Sequence, residues 1–362
     1  MGKRVFNFYA GPATLPYEVI KEASENVLDF MDLGLSIIEI SHRSKEFDDV
    51  IKKAASDMKD LLNLGDEYSV LFLQGGASLQ FAMIPMNFLG EGETADYIDT
   101  GRWSSKAIKE AKLFGNVNVV ASSSDKNYTY IPDVKTLKFT DGASYVHITS
   151  NNTIYGTQFH QFPDTGNIPL VVDMSSDFMC RELDMNRFSL VYAGAQKNVG
   201  PAGVTVVIIK RDMLERIKRE VPIILKYETH VEKDSLYNTP SVFGVYVIGL
   251  VMKWLKKIGG LKEIERINRE KAKLLYDAID DMSDFYRAVV DKDSRSIMNV
   301  TFRIVREELE AKFVEEAKKN GMVGLKGHRS VGGLRASIYN AMSLEGVKTL
   351  VEFMKDFARR NG

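Results

Sequence analysis

Leu170-Val171-Val172-Asp173-Met174-Ser175-Ser176 is the stretch that decides the fold. Its apolar residues follow one another without the alternation of a half-exposed strand. The run therefore reads as a strand covered on both faces and ending on a carboxylate. Val70-Leu71-Phe72-Leu73, Ala95-Asp96-Tyr97-Ile98, Tyr145-Val146-His147-Ile148 and Val204-Thr205-Val206-Val207-Ile208-Ile209 are of related kind. Helical patterns fall between some of them, over 43–63, 78–89 and 103–114. Strands alternating with helices predict an α/β fold on a mostly parallel sheet. Ligands of such sheets collect at the carboxyl ends of the strands, which is where Asp173 stands.

Moving outward, the pattern changes near residue 260, where Gly259-Gly260 interrupt it. Leu261, Ile264, Ile267, Leu274, Leu275 and Ala278 then recur at helical spacing. Met298, Val300, Phe302 and Ile304 alternate with Asn299, Thr301 and Arg303, the pattern of a half-buried strand. Ser343 is placed to cap a last helix with Leu344, Val347, Leu350, Val351, Met354 and Phe357 on one face. These features predict a large domain over 16–260 and a smaller C-terminal α+β domain over 261–362.

Composition narrows the partners. The 362 residues hold 48 Lys+Arg against 49 Asp+Glu, a net charge of −1. A broad electrostatic grip on nucleic acid or an anionic membrane needs a surplus of Lys and Arg, so neither is expected. The single cysteine, Cys180, can close no intramolecular disulfide and no Cys-rich zinc site; it reads as a small buried residue of an intracellular protein. Met1–Val5 lacks the apolar run of a signal peptide, and Phe6 stands where a myristoylation signal needs Ser or Thr. The longest apolar stretch, Val242 to Leu255, is short for a membrane span and carries Lys253. Lys253, Lys256 and Lys257 read as the solvated face of a helix. The expectation is a soluble cytoplasmic protein.

Three segments carry chemistry. In Leu73-Gln74-Gly75-Gly76-Ala77-Ser78-Leu79-Gln80-Phe81 a strand runs through a Gly-Gly turn into a helix. The free N–H groups and dipole of such an N-terminus suit a phosphate, although an ordinary tight turn has the same look. Asp173 ends its strand. In Tyr192-Ala193-Gly194-Ala195-Gln196-Lys197-Asn198-Val199-Gly200-Pro201 a lysine sits in a small-residue loop, where partial desolvation would free a nucleophilic amine; a solvated lysine beside a turn fits the letters equally. Taken together, a phosphate cradle, a strand-end Asp and a loop Lys are the parts needed by pyridoxal 5′-phosphate: Lys for the Schiff base, Asp for the ring nitrogen, the helix for the phosphate.

These segments, with Thr100-Gly101-Arg102-Trp103-Ser104, Asn152-Thr153-Ile154-Tyr155-Gly156 and Asp173-Met174-Ser175-Ser176-Asp177, resemble the phosphoserine aminotransferases, class V, fold-type I pyridoxal-phosphate enzymes. The likeness runs in order from Asn7-Phe8-Tyr9-Ala10-Gly11-Pro12-Ala13 through Ser41-His42-Arg43-Ser44 and Tyr237-Asn238-Thr239-Pro240. It closes on Gly327-His328-Arg329-Ser330-Val331-Gly332-Gly333-Leu334-Arg335-Ala336-Ser337-Ile338-Tyr339-Asn340. It implies that Lys197 carries the cofactor, Asp173 pairs with the pyridine nitrogen, Trp103 stacks on the ring and Thr153 lies beside its phenolic oxygen. Gly76, Ala77, Ser78 and Gln196 would hold the phosphate. Asn238 and Thr239 would reach the phosphate of a neighbouring subunit, implying a homodimer with shared sites. Arg335 would bind the substrate α-carboxylate, and His42, Arg43, His328 and Arg329 the distal anion. Residues 1–15 would pack near the site.

The reaction so implied is reversible, ping-pong transfer of an amino group between L-phosphoserine and 2-oxoglutarate, giving 3-phosphooxypyruvate and L-glutamate for serine biosynthesis. Phosphohydroxythreonine, for pyridoxine biosynthesis, is a further candidate substrate. Guanidinium forks suit substrates with two anionic ends. An alanine–glyoxylate or serine–pyruvate aminotransferase would not need the cluster for a second anion. A cysteine desulfurase needs a nucleophilic Cys on a late mobile loop, and Cys180 lies between Asp173 and Lys197.

Overall fold

A computed structural model describes residues 4–362; Met1–Lys3, on which part of the signal-peptide reading rests, lie outside the described residues. Its centre is a seven-stranded sheet of β1 (Tyr68–Leu73), β2 (Thr94–Asp99), β3 (Asn116–Ser122), β4 (Val146–Thr149), β5 (Leu170–Asp173), β6 (Leu190–Gly194) and β7 (Thr205–Lys210), in the order β1-β7-β6-β5-β4-β2-β3. Only β7 runs against its neighbours; the other pairings are parallel. The expected α/β, mostly parallel sheet is therefore what forms.

Both faces of the sheet are covered, which is why its strands read as unbroken apolar runs. Val172, Val191, Val206 and Ile208 face helices α1 (Tyr17–Leu28), α2 (Lys45–Leu62) and, later in the chain, α5 (Val242–Lys257). Val171, Leu190, Tyr192 and Val207 face α3 (Gly76–Phe88) and α4 (Arg102–Ala111). Each such aliphatic side chain, wholly buried, contributes about 1.5–3 kcal/mol of transfer free energy. The lysines of α5 are not merely solvated. Lys253 pairs with Glu22 of α1 at 2.9 Å, Lys257 with Glu18 at 2.6 Å, and Lys256 with Asp57 and Asp60 of α2. No helix among the described residues is long and apolar enough to cross a membrane.

The polypeptide breaks at Gly259 and Gly260, both at positive φ, and restarts as α6 (Gly260–Asp281). The first turns of α6 place Leu261 and Ile264 in the core beneath the large sheet, whereas Ala272, Leu275 and Ile279 belong to a second core. That second core lies between α6, α7 (Leu309–Lys319), α8 (Leu344–Asn361) and an antiparallel sheet of β8 (Tyr286–Ala288), β9 (Asn299–Ile304) and β10 (Leu334–Ser337). Ser343 caps α8 by accepting from Gly346 N at 3.1 Å, as expected.

The half-buried strand predicted over 298–304 differs from β9 in one respect. Its polar face is buried too, with Asn299 0 % and Thr301 7 % exposed. That face meets the large unit instead of water: Asn151 Nδ2 donates to Asn299 Oδ1 at 2.8 Å, and Thr301 Oγ1 to Tyr155 O at 2.8 Å. Gly156, at φ +86°, makes the approach possible, since a Cβ there would stand 2.6 Å from Thr301 Oγ1 and 2.9 Å from Asn299 O. The N-terminal segment crosses the same joint. Phe6–Asn7 pairs with Met322–Val323, Ala13 N donates to Gln196 O, and Ala10 O accepts from Tyr339 Oη.

Candidate active site

All strands of the large sheet except β7 point the same way, so their carboxyl ends share one edge. β1 leads from that edge to Gly75-Gly76, β2 to Arg102-Trp103, β4 to Asn151–Thr153, β5 ends on Asp173, and β6 turns through the Lys197 loop into antiparallel β7. Topology thus gathers segments more than a hundred residues apart.

At the centre, Lys197 Nζ donates to Thr153 Oγ1 at 2.7 Å, and Thr153 O accepts from Arg335 Nη1 of β10 at 3.0 Å. Burial lowers the Lys197 pKa to about 8; Arg335 acts in the same direction, while Asp173 and Asp177 oppose it. Asp173 is 3 % exposed and accepts from Ser175 N at 2.8 Å. Burial raises its pKa, and the Ser175 hydrogen bonds and the Lys197 charge pull it back. Behind it, buried Asp177 accepts from Ser150 Oγ and from Gln158 Nε2. The Nε of Arg335 is buried without a hydrogen-bond partner, so this guanidinium keeps a donor free beside Lys197.

The expected phosphate cradle is a bare helix start. Gly75 (φ +89°) and Gly76 (φ +66°) turn the backbone into α3, and no side chain caps it. Leu79 N is bonded to Gly75 O, so the N–H groups of Gly76, Ala77 and Ser78 have no intrahelical acceptor. Trp103 lies on the first turn of α4 with Lys197 Nζ 6.0 Å from its ring centroid, Lys106 Nζ 4.8 Å from it, and Nε1 buried and unpartnered. Gln196 folds its side chain over Gly194, where a Cβ would stand 2.7 Å from Oε1. Asn238 and Thr239 are exposed, on a loop tied to the cradle turn by Gln74 Nε2 donating to Thr239 O at 2.9 Å.

The distal cluster is only partly assembled. His328 is faced by the charges of Arg335, Arg102 and Arg329, and burial together with those charges lowers its pKa. Arg335 and His328 also line a cleft of about 580 Å³ with Tyr128, Tyr155, Arg287 and Arg303. His42 and Arg43, on the turn before α2, are not among those lining residues, and Arg43 is exposed. Arg102 also faces His328 from the first turn of α4, and its one sequence signal is a cation next to Trp103 in Thr100-Gly101-Arg102-Trp103-Ser104. Tyr128, which donates to Asp99 Oδ2 at 3.2 Å, carried no signal.

The donor set fits a phosphorylated aromatic aldehyde with a basic ring nitrogen. It offers an amine of lowered pKa, a buried carboxylate, an indole face and free helix N–H groups. The family model for class-V aminotransferases matches residues 5–350, and the chain belongs to this family. Among its curated relatives, the phosphoserine aminotransferase of Desulfosudis oleivorans is 58% identical, with 100% of both chains covered. The solved phosphoserine aminotransferase of Bacillus circulans subsp. alkalophilus superposes with a TM-score of 0.98 at 53% identity, covering 100% of both chains. The PLP-bound phosphoserine aminotransferase of Trichomonas vaginalis gives 0.92 at 39% identity, covering 97% of this chain and 100% of that one. The resemblance read from the motifs holds over the whole length.

Proposed function

We propose that this protein transfers the amino group between L-phosphoserine and 2-oxoglutarate, giving 3-phosphooxypyruvate and L-glutamate, with pyridoxal 5′-phosphate as its cofactor. The observation that carries the reading is the Lys197–Thr153–Arg335 chain beside buried Asp173. It puts an amine of lowered pKa between a carboxylate and a guanidinium with a free donor. When bound, the cofactor supplies an aldehyde to carry the amino group and a ring to take up the electron pair released at the substrate Cα.

The chain's own residues do the rest. Arg335 binds the α-carboxylate and fixes the substrate's orientation over Lys197. Lys197 Nζ, a neutral amine above pH about 8, takes the Cα proton as general base and returns it as general acid. Asp173 holds a positive charge at the ring nitrogen. Trp103 covers the ring and keeps water out, and Thr153 positions the lysine. The N–H groups of Gly76–Ser78, with Ser78 and Gln196, take the phosphate at the helix start. His328 and Arg329 meet the distal phosphate or carboxylate.

We further read residues 16–260 as the cofactor-binding unit, 261–362 as the smaller unit and 1–15 as a segment laid over their joint. The protein works in the cytoplasm as a homodimer. An exposed apolar strip, Leu28 (84 %), Met31 (68 %), Leu35 (51 %) and Ile38 (61 %), runs just ahead of His42-Arg43, and a second copy covering it gives this strip its dry contact. It also supplies the surroundings that His42, Arg43, Asn238 and Thr239 lack within one chain. The test is a panel of amino donors to 2-oxoglutarate: phosphoserine, phosphohydroxythreonine and alanine. Turnover favouring phosphoserine is expected, and equal turnover of alanine overturns the assignment.

A further inference from the structure

Lys271 is a lysine the reaction does not use, and it is 0 % exposed. It sits inside α6, and its Nζ donates to three backbone carbonyls: Ile338 O at 3.0 Å, Tyr339 O at 2.8 Å and Met342 O at 3.0 Å. Carbonyl oxygens only accept, so three of them converging on one nitrogen require three N–H donors. An ammonium has three; a neutral amine has two. Burial draws its pKa down to about 7, with Cys180 opposing; hydrogen bonds from an ammonium to carbonyl oxygens favour the charged form. No carboxylate is among its hydrogen-bond partners.

Those carbonyls belong to the turn that leaves β10, three residues beyond Arg335. One turn before Lys271, Asn268 Nδ2 donates to Asn340 Oδ1 at 2.8 Å and to Cys180 O at 2.9 Å. Asn340 N in turn donates to Asn198 Oδ1 at 3.0 Å, on the residue after Lys197, and Asn340 Nδ2 to Met179 O at 2.9 Å. One face of α6 therefore holds a turn that touches the strand of Arg335 on one side and the loop of Lys197 on the other.

We propose that Lys271 is a positioning residue for substrate binding: its ammonium serves as an internal cation for the 338–342 turn and so sets Arg335 against Lys197. Tyr339 O also accepts from Met342 N at 2.9 Å, so a variant without the amine leaves Ile338 O and Met342 O without the donor that holds them, and the turn relaxes at their expense. Arg335, three residues back along β10, is joined to that turn through the backbone and shifts with it. The proposal rests on the reading of Arg335 as the α-carboxylate residue.

The test is steady-state kinetics on cofactor-loaded Lys271→Met, an uncharged near-isostere, beside Lys271→Gln and Arg335→Lys. Because both amino donors share the α-carboxylate, KM for phosphoserine and for glutamate should each rise about tenfold in Lys271→Met, with kcat within about twofold. Lys271→Gln keeps two N–H donors and should fall between; it carries the comparison if the Met variant does not fold. A lowered thermal midpoint with both KM values unchanged overturns the proposal, as does a rise for phosphoserine alone. If Arg335→Lys raises both KM values and Lys271→Met raises neither, only the Lys271 proposal fails. An unchanged KM in Arg335→Lys removes the reading of Arg335 and the proposal with it.

Discussion

The two ends of the site are built differently. Around Lys197, Asp173 and Thr153 every group is held by a hydrogen bond before any ligand arrives; Asp173 and Thr153 are buried and Lys197 is half-buried. Around the distal cluster, Arg43 and Arg329 are exposed, and His328 bonds Ser330 on its own loop at 2.7 Å. The proposed function gives this difference a physical reason. A proton moved at Cα needs an amine and a carboxylate fixed within fractions of an ångström in a low dielectric. A phosphate or carboxylate that is only bound can be met by flexible, hydrated cations, and two substrates with different distal anions are better served that way.

The comparison breaks most visibly at the buried end. Lys197→Ala should lower turnover by a factor on the order of 10⁴, the scale of a lost general base, as read by single-turnover conversion with phosphoserine. Near-normal turnover would remove Lys197 from the mechanism. The same residue predicts a pH dependence. Its amine is protonated below about 8, so covalent capture of the aldehyde by cofactor-free protein should slow about tenfold per unit of pH below that point and level off above it. A rate that keeps climbing to pH 10 would show that burial does not lower this pKa. Asp173→Asn preserves shape and removes charge; it should cost roughly 10²–10⁴ in kcat, with KM for phosphoserine little changed.

Why the buried end could be read from letters alone follows from the same contrast. Asp173 ends an apolar run and Lys197 interrupts a run of small residues, so each departs from its surroundings in type. β6 is harder: Tyr192-Ala193-Gly194 reads as part of the small-residue lysine loop, because the strand character of Leu190–Gly194 is settled by pairing with β5 and β7 on either side. β3 went unread because it is an edge strand in which Asn116, Asn118 and Val119 are exposed. The polar face of β9 suggested solvent, since nothing in Asn299 or Thr301 announces that Asn151 and Tyr155 will cover it. Lys271 is the extreme case. It shares α6 with Lys262, Arg266, Arg269 and Lys273, and only the fold of residues far along the chain distinguishes it from a surface lysine.

Arg335 stands between the two ends, half-buried and bonded to Thr153. Its replacement by Ala removes one charged bidentate contact, worth about 1.5–3 kcal/mol, so KM should rise about 10- to 100-fold for every amino donor alike. A rise confined to phosphoserine would transfer Arg335 to the distal cluster.

The smallest effect is expected at the open end, and its signature is selectivity more than size. Arg43→Ala or Arg329→Ala removes one exposed charge, worth about 0.2–1 kcal/mol by itself, so KM for phosphoserine should rise up to roughly fivefold while that for alanine stays put. Ionic strength provides the sharper contrast. Raising salt from 0.1 M to 1 M shortens the screening length from about 10 Å to about 3 Å. Contacts made by hydrated, exposed guanidinium groups weaken under that change, whereas those inside the Lys197 cluster are screened far less. KM for phosphoserine should therefore climb with salt, KM for alanine should not, and Arg329→Ala should flatten the climb. If alanine responded to salt as strongly as phosphoserine, the exposed charges would be steering all substrates, and the division of the site into a shielded end and an open end would fail.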